Sequence, residues 1–188
     1  MNRRNLLKGL ALASVAFVPV WRAMAASPAN SGAGIEALRR NWKDFLADGA
    51  DVALTREPLK RPDAEWKGVL TPAQFDVLRK ESTERPGTSP LNNEKRPGVY
   101  ACAGCSLPLF SSAMKYDSGT GWPSFFTTIP GAVATKKDYY LIIPRTEYHC
   151  VRCGGHQGHV FNDGPPPTHE RWCNNGVALR FLPKPGAA

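Results

Sequence analysis

The sequence predicts a mainly β fold of α+β type, and three observations predict it. Glycine and proline contribute 17 residues each to a chain of 188, which favours turns and short elements over long helices. Beyond Arg85 the apolar runs are strand-length and bounded by turn residues. Helical periodicity, by contrast, is confined to stretches before residue 82. An apolar fraction of 42% with 21% charged residues excludes both a disordered chain and a multispanning membrane protein. The length allows one ordinary domain plus an extension.

Taken in order, residues 1–25 have the layout of a cleavable export signal: a basic start, an apolar run from Gly9 to Val20, and the small-x-small tripeptide Ala23-Met24-Ala25. The run falls short of the ~20 residues a helix needs to cross a hydrocarbon core. A signal is therefore expected, with no membrane span after cleavage; an uncleaved anchor is the alternative. Asn2-Arg3-Arg4-Asn5-Leu6-Leu7-Lys8 resembles a twin-arginine signal, with Asn2 replacing the usual Ser or Thr. That resemblance implies export of an already folded chain, to a bacterial periplasm, with any metal loaded in the reducing cytosol. Half of the formal +8 charge resides on Arg3, Arg4, Lys8 and Arg22. The remaining basic excess is weak, and no nucleic-acid partner is expected.

Residues 26–69 read as a helix and an arm. Ile35, Leu38, Trp42, Phe45 and Leu46 recur at helical spacing, with Gly49 as the stop. Charge together with Pro58 and Pro62 predicts an extended arm from Asp51 to Lys67. A second helix opens with Thr71 as N-cap, Pro72 at its first position and Gln74 closing a capping box. It should run to about Glu81, with Phe75 and Leu78 facing inward. Strands are expected over Val99 to Cys102, Tyr139 to Ile143 and Val177 to Leu182, pairing antiparallel. Pro165-Pro166-Pro167 is a short rigid loop, and residues 184–188 form a tail.

Cys102 and Cys105, and Cys150 and Cys153, form two C-x-x-C pairs with glycines around them. Two such turns bring four thiolates to one ion, so they read as zinc knuckles with a closed, structural site for one Zn2+ per chain. Disulfides are the competing reading in an oxidising compartment. A local site of Cys150, Cys153, His156 and His159, spaced in steps of three, is the other metal arrangement. It would orphan Cys102 and Cys105, whereas four thiolates use every paired thiol and free both histidines.

Cys173 has no partner in sequence and stands in Arg171-Trp172-Cys173-Asn174-Asn175-Gly176. A buried inert thiol is the plain reading. A nucleophile is the other, its pKa lowered by Arg171 and the upstream histidines. Gly155-His156-Gln157-Gly158-His159 supplies two imidazoles, and Asp117-Ser118-Gly119-Thr120-Gly121-Trp122-Pro123 is a glycine-rich loop presenting a tryptophan.

These segments, with Leu70-Thr71-Pro72, Phe110-Ser111-Ser112, Arg145-Thr146-Glu147, Gly158-His159-Val160-Phe161 and Asp163-Gly164-Pro165-Pro166-Pro167-Thr168, resemble the methionine sulfoxide reductase B family. The resemblance runs in order from Leu70 to Pro183, making 70–183 the catalytic domain. It implies two antiparallel sheets with a few peripheral helices, and reduction of methionine-R-sulfoxide, free or in oxidised proteins. It also implies Cys173 as nucleophile, His156 and His159 assisting the sulfoxide oxygen, and Asn175 hydrogen-bonding within the site. Trp122 would wall the S-methyl group, with Phe161 as a second apolar surface.

Thr120 stands where many members carry a resolving cysteine. With four thiols assigned to zinc, a one-cysteine enzyme is expected, whose Cys173 sulfenic acid is reduced by an external thiol, thioredoxin-like or small. Smaller departures are Gln157 for Leu, Asn162 for Pro, and Asn174 and Gly176 for an aliphatic and Ser. The rival from another class is a non-catalytic zinc-ribbon module binding protein or nucleic acid. A thiol-disulfide oxidoreductase is disfavoured because both C-x-x-C pairs are better explained as ligands.

Overall fold

The computed structural model describes residues 32–139 and 144–186. The expected export signal lies outside the described residues.

Helix α1 (Gly32–Arg40) tightens into a 3-10 turn over Asn41–Phe45 instead of continuing as one helix to Leu46. The tightening begins at Asn41 and Trp42, weaker helix formers, and leaves Leu38 and Trp42 packed on the core. The arm is extended only in part. Helix α2 (Asp63–Val69) begins after Pro62, with Asp63 and Glu65 in its first turn. It buries Trp66 to 1% exposure beneath the guanidinium of Arg61, 4.7 Å from the ring. Upstream of it, the Ala53 N–H donates to the Ser106 carbonyl at 2.9 Å and the Leu59 N–H to that of Arg152 at 2.6 Å. The arm thus ties together the loops that carry the cysteine pairs. Helix α3 (Pro72–Lys80) starts as expected, with the full Thr71–Gln74 capping box, and ends on Glu81 in the left-handed conformation.

Two antiparallel sheets follow, as expected. Strands β1 (Gly98–Cys102), β2 (Pro108–Ser111) and β9 (Leu179–Pro183) form the smaller, in the order β2-β1-β9. The larger contains β3 (Lys115–Tyr116), β4 (Ser124–Phe125), β5 (Val133–Asp138), β6 (Arg145–Cys150), β7 (His156–Phe161) and β8 (Arg171–Asn174), in the order β3-β4-β8-β7-β6-β5. The strand expected over Tyr139 to Ile143 is displaced: β5 ends at Asp138, Tyr139 is exposed beyond it, and residues 140–143 lie outside the described residues. The final strand also starts later than expected. Gly176–Ala178 is a 3-10 turn, because the Glu84 carboxylate takes the N–H groups of Gly176 and Val177.

Phe110 stacks on Phe125 at 4.0 Å between ring centroids, and Tyr148 meets Trp172 edge-on at 5.0 Å. The same apolar cluster includes all four paired cysteines. Core and paired cysteines are therefore one continuous body.

Candidate active site and metal cluster

The sulfurs of Cys102, Cys105, Cys150 and Cys153 all lie within 4.8 Å of one another and are buried. Cys102 and Cys153 approach to 3.6 Å, Cys105 and Cys150 to 3.5 Å. A disulfide requires about 2.05 Å, whereas four thiolates around one ion at ~2.3 Å stand about 3.8 Å apart. The donor set fits a tetrahedral zinc site and excludes the disulfide reading in this conformation. Neither His156 nor His159 belongs to this cluster, so the mixed two-thiolate, two-imidazole site is not formed.

Strand β8 places Cys173 between two neighbours: it pairs with His159 on β7 and with Ser124 on β4. Residues directly opposite in an antiparallel ladder share a face, so His159 is set against the thiol. On the other side, β6 pairs Glu147 with His159. The register then slips: Tyr148 pairs with Gly158 but His149 with His156, leaving Gln157 as the extra residue of a β-bulge. In a regular strand, positions 156 and 159 face opposite ways. The bulge restores them to one face, with ring centroids 5.5 Å apart. Gly158 is needed where it stands, because a Cβ there would overlap the Cys173 carbonyl oxygen.

Cys173, His159, Asn175, Trp122 and Phe161 line one pocket of about 260 Å³, together with Thr83, Thr120, Arg145 and Arg171. His156 does not line it. Its ring, 2% exposed, lies in an adjoining charged cavity of about 620 Å³ shared with Glu147, Glu81 and Lys80. His156 Nδ1 is 2.9 Å from Glu147 Oε1, but the contact is bent away from hydrogen-bond alignment. His159, with Thr83 and Arg145, lines both cavities.

His159 Nε2 lies 2.8 Å from Asp138 Oδ2, and Arg145 donates to the same carboxylate oxygen at 2.7 Å. Burial holds the His159 imidazole below the usual histidine range, against the pull of Asp138. Burial likewise pushes the Cys173 thiol up. Arg171 pulls the other way, as expected, with help from Thr120 and Ser124, but burial wins and neither histidine is among the leading causes. The expectation of a depressed thiol therefore has the wrong sign: Cys173 rests as a thiol. Arg171 is itself held by a bidentate pair to Asp163, at 2.7 and 2.9 Å, and lies 4.2 Å from the Phe161 ring centroid.

Asn175 lines the pocket, yet its amide is occupied elsewhere. Oδ1 accepts from the Glu84 N–H at 2.9 Å and Nδ2 donates to the Gln157 carbonyl at 3.0 Å. The buried Asn174 accepts from the Tyr148 hydroxyl at 2.7 Å, which satisfies an amide where an aliphatic was the frequent residue. Sequence reasoning missed Glu84 and Asp138. The Glu84 carbonyl accepts from Trp122 Nε1 at 3.0 Å, while its carboxylate takes the N–H of Gly176 at 2.5 Å and of Val177 at 3.0 Å. No local pattern marks Glu84, which bonds Gly176 from 92 positions upstream.

A lone thiol set opposite an imidazole in an apolar pocket, apart from a buried set of four sulfurs that could hold a metal ion, defines a thiol-chemistry domain. Comparison with known proteins narrows this. The SelR domain matches residues 70–183. A peptide methionine sulfoxide reductase MsrB of Agrobacterium fabrum is 49% identical over 131 residues, covering 69% of this chain and 97% of its own length. One from Pseudomonas putida is 50% identical over 124 residues, covering 65% and 93%. The chloroplastic peptide methionine sulfoxide reductase B1 of Arabidopsis thaliana is 41% identical over 155 residues, covering 82% and 77%. The chain belongs to the methionine sulfoxide reductase B family.

Proposed function

We propose that the protein reduces methionine-R-sulfoxide, free or within oxidised proteins, to methionine at Cys173. The observation that carries this reading is the pocket lined together by Cys173, its cross-strand partner His159, Trp122 and Phe161. A sulfoxide sulfur accepts attack by a thiol only when its oxygen is protonated or strongly hydrogen-bonded. Because Cys173 rests as a thiol, it brings the proton itself. His159 relays that proton toward the sulfoxide oxygen as the Cys173 sulfur attacks. Methionine sulfoxide and thiol become methionine and Cys173 sulfenic acid, with the oxygen ending on sulfur. Two external thiols then restore Cys173, leaving as a disulfide and releasing water.

Thr120 occupies the pocket wall where many relatives of this pattern carry a cysteine, and the other four cysteines lie together in the cluster. This supports a one-cysteine cycle fed by a thioredoxin-like or small-thiol donor. Cys102, Cys105, Cys150 and Cys153 would hold one Zn2+, which braces the fold and takes no part in the reaction. The signal-like residues 1–25 support export to a bacterial periplasm. Among the described residues no helix is long and apolar enough to cross a membrane.

The test is a chiral assay of each sulfoxide epimer with the wild type and Cys173→Ser. Turnover of the R epimer alone is expected, lost in the variant while metal content and fold persist. Equal use of both epimers, or an active variant, is incompatible with the reading. Mass spectrometry after one turnover without reductant should find sulfenic acid on Cys173; an intramolecular disulfide would overturn the one-cysteine cycle.

A further inference from the structure

Gln157 is fully buried, yet its Oε1 has no hydrogen-bond partner. A buried amide with an orphan oxygen costs stability that an aliphatic side chain of similar size would not. Its presence therefore points to a use for the other end of the amide. Nε2 lies 3.4 Å from Cys102 Sγ and 3.4 Å from the Gly155 carbonyl oxygen. Turning the amide over would set Oε1 against a metal-binding sulfur and a carbonyl oxygen, both acceptors, so the nitrogen faces the cluster. The β-bulge makes the placement possible: as the extra residue of β7, Gln157 leaves the ladder and turns its side chain toward the cysteines. Its carbonyl meanwhile accepts from the backbone N–H of Asn175 at 2.8 Å and from the Asn175 side chain at 3.0 Å.

We propose that Gln157 donates a hydrogen bond to the metal-bound thiolate of Cys102, drawing charge off that sulfur and so slowing its attack by electrophiles and the loss of the metal. The proposal rests on reading the four cysteines as a zinc site. A hydrogen bond to a ligating sulfur stabilises its negative charge and fixes its orientation, and such outer partners change metal affinity by about 10- to 100-fold when removed. A leucine in this place would have no hydrogen to give. This chain thus carries a protective contact that an aliphatic residue cannot supply, at a sulfur otherwise enclosed by apolar core.

The experiment uses the full zinc-loaded chain in a Cys173→Ser background, so that only cluster thiols react. Zinc release on treatment with methyl methanethiosulfonate is followed with a metallochromic dye for Gln157, Gln157→Leu and Gln157→Met. About tenfold faster release is expected in both variants, with one zinc per chain and an unchanged far-UV spectrum at the start. In the cobalt-substituted proteins the sulfur-to-metal charge-transfer band should move to longer wavelength. Folded variants with wild-type release rates and an unmoved band overturn the proposal. Should neither variant fold, cadmium-113 in the Gln157 protein decides: a scalar coupling between the metal and the Gln157 amide proton is expected, and its absence from a resolved amide signal overturns the proposal. A Gln157 protein that binds no metal overturns the zinc reading itself, and the proposal with it.

Discussion

His159 stands directly opposite Cys173 across the β7–β8 ladder, while His156, on the same sheet face, lines only the neighbouring charged cavity. The two histidines should therefore differ in weight. His159→Ala should lower kcat on methionine-R-sulfoxide by about 10²- to 10⁴-fold, the usual worth of a positioned acid-base group. His156→Ala should lower it by roughly tenfold at most, since its effect must pass through His159. Steady-state kinetics of the two variants checks the order; equal losses would place both rings on the substrate.

The local half of this arrangement was legible in the sequence and the long-range half was not. The Thr71–Gln74 cap is encoded within four neighbouring side chains, and the C-x-x-C turns bring their sulfurs together by spacing alone. The displaced strand β5 carries Lys136 and Lys137 exposed at the edge of its sheet, a charged edge being a common guard against unwanted pairing. It has little of the apolar character that marks a strand, whereas the run after it, residues 139–143, is apolar throughout. The β-bulge at Gln157 left no trace in residue type, so the shared face of His156 and His159 emerged only from the register. Burial of Cys173, which sets the sign of its pKa shift, is likewise a property of the assembled pocket.

Cys173 is a thiol at neutral pH because burial outweighs the cation beside it. Its alkylation by iodoacetamide should follow thiolate formation with a midpoint above the ordinary thiol value of about 8.5. Arg171→Ala removes a positive charge that favours the thiolate, so the midpoint should move higher still and the rate at pH 7.5 should fall several-fold. Mass-resolved alkylation of Cys173 across pH measures both. A midpoint below about 8.5 in the wild type would mean that burial does not dominate.

Gly158 lets β7 approach the backbone of Cys173 closely enough that a single methyl group does not fit. Gly158→Ala should cost about 3 kcal/mol of stability by forcing the strands apart. Activity should fall further than stability does, since the displaced atom belongs to Cys173, the proposed nucleophile. Denaturant titration gives the first quantity and kcat/KM under conditions where the variant is fully folded gives the second.

The four clustered cysteines share one core with Trp66 and Leu78, so emptying the proposed metal site should loosen the domain as a whole. Removal of metal by a strong chelator should lower stability on the order of 5 kcal/mol, or roughly 10–20 °C in Tm for a chain of this size. Cys102→Ser should do the same without chelator. Calorimetry with metal analysis checks this. A metal-free chain that melts like the loaded one would limit the ion to a local role.

Glu84 ties the Trp122 loop to the segment that follows Cys173: its carbonyl holds the Trp122 indole, its N–H holds the Asn175 side chain, and its carboxylate holds the turn that Asn175 opens. Loss of the carboxylate frees two N–H groups of the 3-10 turn and the loop that fixes the indole, so the aromatic wall should lose its set distance from the sulfur. Glu84→Ala should raise KM for methionine-R-sulfoxide about tenfold, with a smaller change in kcat, because the wall is proposed to face the S-methyl group and not the reacting oxygen. Glu84→Gln keeps one acceptor oxygen and should recover most of the loss. With 5-fluorotryptophan incorporated, the Trp122 signal, assigned through Trp122→Phe, should broaden or shift in Glu84→Ala. If KM and that signal both stay at their wild-type values in a folded Glu84→Ala protein, the indole is held by its other neighbours and the carboxylate serves only the turn.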